Sequence, residues 1–177
     1  LSEYLDKYKL LTVVPVMHTG VRRWLTDEIL PVVATIYVPI ESLVQHVGGA
    51  GLINLGKHQG QHVRRIPIVF QFGENYLPSF TLMMAARNMH LSTRHMSVET
   101  GYGLKLANNN VLTDEKLRIY PRFYKGKKDK DAFKVYSILD VLNNKVARED
   151  IRGKTVLVGL TAEQHINSLM TPIGEAM

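Results

Sequence analysis

The chain has 177 residues, 22 lysines and arginines against 16 aspartates and glutamates, a formal net charge of +6, 45% hydrophobic residues and no cysteine. The missing thiols exclude a disulfide framework, thiolate catalysis and a zinc ribbon, and leave the redox compartment open. The length suits one domain with a real core, because a chain this size buries roughly two thirds of its extended surface.

Ser2 to Lys9 reads as a short helix that feeds Leu10 to Met17, an apolar run of strand length whose Pro15 places it at a sheet edge. The longest nearly apolar run, Ile29 to Ile40, carries Pro31 and Pro39 and falls well short of the ~20 residues of a membrane-spanning helix. Glu41 to Val47 fits a helix closed by Gly48 and Gly49. Gly51 to Leu55 and Val63 to Phe72 are predicted to form a hairpin around Gly60, with Ile66, Ile68, Phe70 and Phe72 on one core-facing side at period two.

Gly73-Glu74-Asn75 turns the chain, and Pro78-Ser79 opens a helix whose Phe80, Met83 and Met84 share a face. Short strands joined by turns are expected from Leu91 to Asn110, with Asn108, Asn109 and Asn110 supplying left-handed conformations. Leu117 to Phe123 is a strand candidate, and Ser137 to Asn143 a helix capped by Ser137. The clearest strand by pattern is Thr155 to Leu160, β-branched and apolar on both faces as a central strand must be. Thr161-x-x-Gln164 follows with the spacing of a capping box. The sum is an α/β fold: a single domain over residues 1–177, with a mixed central sheet, an attached hairpin and flanking helices.

Little in the sequence demands catalysis. The densest basic cluster, Lys125, Lys127, Lys128, Lys130 and Lys134, is broken by Asp129 and Asp131 and lacks stacking aromatics, so it reads as a solvated loop. His58 and His62 have the i, i+4 spacing of zinc ligands, but they flank Gly60 in the expected turn and no HExxH string exists, so no metal is assigned. Gly48-Gly49-Ala50-Gly51 precedes a strand rather than following one, which is wrong for a phosphate cradle. None of Ser42, Ser79, Ser92, Ser137 and Ser168 sits in a G-x-S-x-G turn. Glu149 and Asp150, beside Arg148 and Arg152, should be ionised and solvated rather than an acid–base pair. No cofactor is implied. The residues alone describe a soluble α/β domain that binds something, with a small α/β enzyme or a basic nucleic-acid binder as the rival reading.

Three stretches in order narrow this: Gly51-Leu-Ile-Asn54 leading through Gly60 to Val63-Arg64-Arg65-Ile66-Pro67; Ser137-Ile-Leu-Asp-Val-Leu142; and Gly153-Lys154-Thr-Val-Leu-Val158-Gly159 with Thr171-Pro172. Their order and spacing resemble the CHASE type-two domain, an extracytoplasmic sensor module of bacterial signalling proteins, over nearly the whole chain. The resemblance implies a non-enzymatic domain on the periplasmic side of the inner membrane, joined to membrane-spanning helices of the same chain and then to a histidine kinase, a nucleotide or diguanylate cyclase, or a serine/threonine kinase. It also fits a chain that begins at Leu1 without a signal peptide, which reads as a segment of a longer protein whose N-terminal strand lies upstream. The chain departs from the family pattern at Lys57, Gln59 and Asn167, where acidic residues are usual.

The resemblance marks Gly51, Asn54, Pro67, Gly153, Gly159, Thr171 and Pro172 as structural positions. On one strand Arg64 and Arg65 point to opposite faces, so one at most meets a ligand, and ion pairing within the fold is the competing use of either. Open α/β sheets bind ligands at the carboxyl ends of their strands. That rule places a ligand site at Thr161 and His165 with one of Arg64 or Arg65, suited to a small acidic molecule. The signal is an unknown small molecule or protein, a homodimer is possible, and no nucleic-acid partner is expected.

Overall fold

The computed structural model describes residues 12–14, 17–18, 21–22, 30–37, 40–44, 46–55, 62–99, 103–126, 132–160 and 169–176. The chain divides into two compact units, Leu1–Gly60 with Arg64–Pro121, and Gln61–Val63 with Arg122–Met177. The fold class is mixed α/β, with several small sheets and a few short helices.

The first unit opens with β1 (Thr12–Val14), β2 (Met17–His18), β3 (Val21–Arg22) and α1 (Glu41–Val44), followed by β4 (Ile66–Pro67), β5 (Val69–Phe72), β6 (Asn75–Pro78) and α2 (Phe80–Asn88). A 3₁₀ turn at Thr93–His95 leads into β7 (Met96–Glu99), β8 (Gly103–Leu106), β9 (Asn109–Val111) and β10 (Arg118–Ile119). The main sheet has the order β1-β7-β8-β9, with β1 parallel to β7 and the remaining pairs antiparallel. β1 is therefore an edge strand, as the proline after it requires.

Alternation builds the core. In the β7–β8 register Met96 lies opposite Leu106 and Val98 opposite Leu104, and all four are buried, whereas the intervening pair Ser97 and Lys105 is not. Leu82, Met83 and Ala86 of α2 join this face together with Leu30, Ile68, Val69 and Leu117. Each such aliphatic side chain contributes roughly 1.5–3 kcal/mol by leaving water. Ser79 caps α2 in extended backbone, its Oγ accepting from the Leu82 amide at 3.2 Å. The buried stripe of α2 differs from the expected one: Phe80 is exposed, and the helix turns Leu82, Met83 and Ala86 inward.

The hairpin also forms elsewhere than expected. β5 pairs with β6 around Gly73-Glu74, with Gly73 at φ +56°, while β4 pairs with β10. Gly51 to Leu55 contributes only a parallel bridge, from Leu52 to Ser79, in place of the expected strand against Val63 to Phe72. Period-two patterning specifies a face but not a partner, and the shortest connection available to Val69–Phe72 is the two-residue turn that follows it. Val69 and Phe70 are both fully buried, so this strand is covered on both sides rather than one. In the Leu91 to Asn110 region the short strands are present, but the left-handed residue of the β8–β9 turn is Ala107, at φ 52°, and Asn109 and Asn110 lie in β9.

The second unit contains α3 (Ile138–Leu142), capped by Ser137 as expected, α4 (Arg148–Ile151), and the hairpin of β11 (Leu169–Thr171) and β12 (Gly174–Ala176). The expected central strand is absent. Thr155 to Leu160 has no ladder partner among the described residues, and Val156, Leu157, Val158 and Leu160 are exposed, Val158 to 83%. A β-branched apolar run has the propensity for a strand but becomes one only by pairing with a second segment, and none pairs with it among the described residues. The expected helix at Ser2 to Lys9 and the capping box at Thr161 to Gln164 lie outside the described residues.

Candidate functional site

Arg64 and Arg65 precede β4 rather than lying within a strand. The β4–β10 ladder pairs Ile66 with Ile119 and Pro67 with Arg118, and one step beyond it the Arg65 guanidinium sits over the Tyr120 ring at 5.2 Å from the centroid. Pro67 is buried and Arg64 is exposed. Arg65, 45% exposed, also reaches Asp114 with Nη1 3.6 Å from Oδ2.

Asp114 is the organising group of this corner. Its Oδ1 accepts the amides of Lys116 at 3.0 Å and Arg118 at 2.9 Å, while Oδ2 accepts Nε and Nη2 of Arg118, both at 2.8 Å. The same loop is closed on the main chain, where the Asp114 amide donates to the Arg118 carbonyl and the Leu117 amide to the Asp114 carbonyl, each at 3.0 Å. These bonds hold Leu117 at φ 51°, a conformation costly for a branched residue, with its side chain buried and its carbonyl accepting from Ile68. Partial burial pushes the Asp114 carboxyl up, but the Arg118 side chain, the two backbone amides and the Arg118 charge outweigh it, so it lies below the usual carboxylate value.

In the second unit Thr171 is buried at the end of β11, and its Oγ1 donates to the Gly174 carbonyl at 2.5 Å across the Pro172-Ile173 turn. Thr171 and Pro172 thus fix a turn. His62 Nδ1 donates to the Thr171 carbonyl at 3.2 Å and the Val63 amide to the Met170 carbonyl at 2.8 Å, pinning this stretch to β11. Asp150 of α4 accepts Lys134 Nζ and, at 2.7 Å, the Tyr136 hydroxyl. Lys134 and then Tyr136 hold the Asp150 carboxyl below its ordinary value, and the same pairing raises Lys134. Asp150 is therefore ionised, but its partner is Lys134 and not the neighbouring arginines.

A model of the CHASE2 domain matches residues 3–177. The chain belongs to the CHASE2 family. CHASE2 domains are extracytoplasmic sensory domains of signalling proteins. No curated protein and no solved structure matches the chain.

Within this CHASE2 domain the structural positions divide by role. Gly51 is required by close approach, since a Cβ there would lie 2.6 Å from the backbone of Ser79 and Phe80. Gly153 sits at φ +70° in the turn after α4. Asn54 is exposed, and Gly159 lies in the exposed run with open space around it. Of the four ligand-site residues, Arg65 pairs with Asp114 and stacks on Tyr120, Arg64 is exposed, and Thr161 and His165 lie outside the described residues. Asp114 escaped the sequence reading, although its i, i+4 spacing to Arg118 and its place before a short strand were visible signals.

Proposed function

We propose that this CHASE2 domain, residues 1–177, is the ligand-sensing input of a bacterial membrane signal-transduction protein, held on the periplasmic face of the inner membrane. In this reading membrane-spanning helices of the same chain carry its state to a cytoplasmic histidine kinase, a nucleotide or diguanylate cyclase, or a serine/threonine kinase. The domain itself performs no chemistry. The family match over residues 3–177 is the observation that carries this reading. A signal, whether small molecule or partner protein, changes the output only by binding one conformation better than another, and a tenfold preference corresponds to about 1.4 kcal/mol. A homodimer is the simplest arrangement for passing that bias to paired membrane helices.

The test uses the full-length protein in its own membrane. Protease added to spheroplasts should cleave the domain while sparing the cytoplasmic output domain, and output activity in isolated membranes should change when candidate signals are added. A domain protected in spheroplasts and cleaved only after lysis overturns the reading. So does tight, steeply salt-dependent binding of the purified domain to duplex DNA at physiological salt, which would favour a nucleic-acid role.

A further inference from the structure

We infer that the cleft between α3 and α4 is a binding site for a small amphiphilic carboxylate, a molecule with a hydrocarbon body and one anionic head. This rests on the sensory reading above, which it deepens by naming a site and a ligand class. The cleft is an open depression of about 510 Å³ lined by Val141, Asn144, Val146, Arg148, Ile151 and Arg152, all but Val146 exposed.

A defined chain reversal shapes it. After α3 the Asn144 amide donates to the Val141 carbonyl at 3.1 Å and the Lys145 amide to the Asp140 carbonyl at 2.8 Å, with Asn144 left-handed at φ 56°. This paired closure of a helix end is a Schellman motif. It sends the chain back toward α4, so that Val141 of one helix and Ile151 of the other line the same cleft, with Val146 from the connection between them.

The two arginines make the cleft selective. Arg148 and Arg152, four residues apart on and just after α4, both line it, and neither makes an ion pair among the described residues. Of the two acids between them, Glu149 makes no ion pair among the described residues, and Asp150 is already taken by Lys134 and Tyr136. Two guanidinium groups without an ion pair among the described residues, set beside three aliphatic side chains, favour an anion, and a carboxylate matches the planar fork of a guanidinium in a bidentate bond. The aliphatic lining rewards a hydrocarbon body on that anion. Fully hydrated anions such as sulfate would leave this lining in water.

The experiment titrates the whole chain with 4-phenylbutyrate and, separately, with its neutral amide, 4-phenylbutyramide, following backbone amide resonances. We expect the acid to shift the amides of residues 141–152 with at least tenfold tighter binding than the amide. We expect Arg148→Ala and Arg152→Ala each to weaken the acid roughly tenfold while leaving the amide unchanged, and Arg148→Lys to restore part of the loss. Equal binding of acid and amide, shifts centred outside residues 141–152, or no saturable binding of either probe each overturns the inference. These outcomes leave the spheroplast topology test untouched, so failure here is distinct from failure of the sensory reading. Circular dichroism of each variant confirms that the fold is retained.

Discussion

Replacing Gly51 by alanine should be among the most damaging single-methyl changes in this protein. The added Cβ would lie 2.6 Å from Phe80 N and from the carbonyl carbon and oxygen of Ser79, all main-chain atoms. Ordinary carbon contacts sit at about 3.5–4.0 Å, so close to an ångström of overlap must be relieved by moving one chain segment away from the other. That displacement acts on two hydrogen bonds, Leu52 N–H to the Pro78 carbonyl at 3.0 Å and Phe80 N–H to the Leu52 carbonyl at 2.8 Å. At roughly 0.5–1.5 kcal/mol per bond and roughly 1–3 kcal/mol for overpacking, partial loss of both amounts to about 2–4 kcal/mol. For a chain of this size that lowers the melting temperature by about 4–16 °C, read by circular dichroism. Gly159→Ala is the matched control, since its Cβ would meet nothing within 4 Å, and it should melt within about 2 °C of the parent. If Gly51→Ala melts with the parent as well, the close approach of Leu52 to Ser79 is wrong and with it the account of why glycine stands there.

Asp114→Asn removes the carboxylate that holds Arg118 and should cost about 1–3 kcal/mol in urea unfolding. Because the Asp114 carboxyl is lowered in the folded state, the unfolded chain takes up the proton first as pH falls. Its stabilisation is therefore full above the ordinary carboxylate value and lost as pH drops through the folded value, and the parent-minus-variant difference should shrink below about pH 4; a difference that is flat with pH refutes the assignment. Phe70→Ala, at a fully buried position, should cost about 3–5 kcal/mol, whereas Leu157→Ala in the exposed run should stay within about 0.5 kcal/mol; a large loss at Leu157 would restore that run to a core. Lys134→Ala should move the Asp150 carboxyl titration, followed by NMR, upward toward the free aspartate value, and 1 M salt should do part of the same in the parent.

Local signals were read well where a few adjacent residues determine the outcome. Ser79 and Ser137 cap helices because a hydroxyl before an apolar helical run satisfies an orphan amide whatever the tertiary context. Gly73-Glu74 turns because glycine takes positive φ freely. Thr171-Pro172 fixes the β11–β12 connection for similarly local reasons. The larger failures concern choice of partner, while smaller ones are a shift of the buried stripe on α2 and of the left-handed turn residue to Ala107. Val69–Phe72 pairs with the strand that follows it and not with Gly51 to Leu55, and Thr155 to Leu160 has the composition of a central strand but no pairing partner among the described residues. At the Arg65–Tyr120 corner, Arg65 was legible as a pairing arginine; the local bonds of Asp114 to Lys116 and Arg118 carried a readable signal, whereas its pairing with Arg65 depends on the β4–β10 ladder bringing residues far apart in sequence together.

The bonds of His62 and Val63 to β11 bear on how the polypeptide assembles during synthesis. His62 and Thr171 are 109 residues apart, and closing a flexible loop of that length costs about 4 kcal/mol in chain entropy, more than two hydrogen bonds return. The closure becomes favourable once Arg64–Pro121 has condensed with the residues before Gly60, because most of the intervening chain is then already shortened. A ribosome exposes that first unit in full before residues 169–171 emerge. The strand at Leu169–Thr171 is thus the clasp that closes last, and a chain released short of it would leave Gln61–Val63 without the strand to which its backbone is tied.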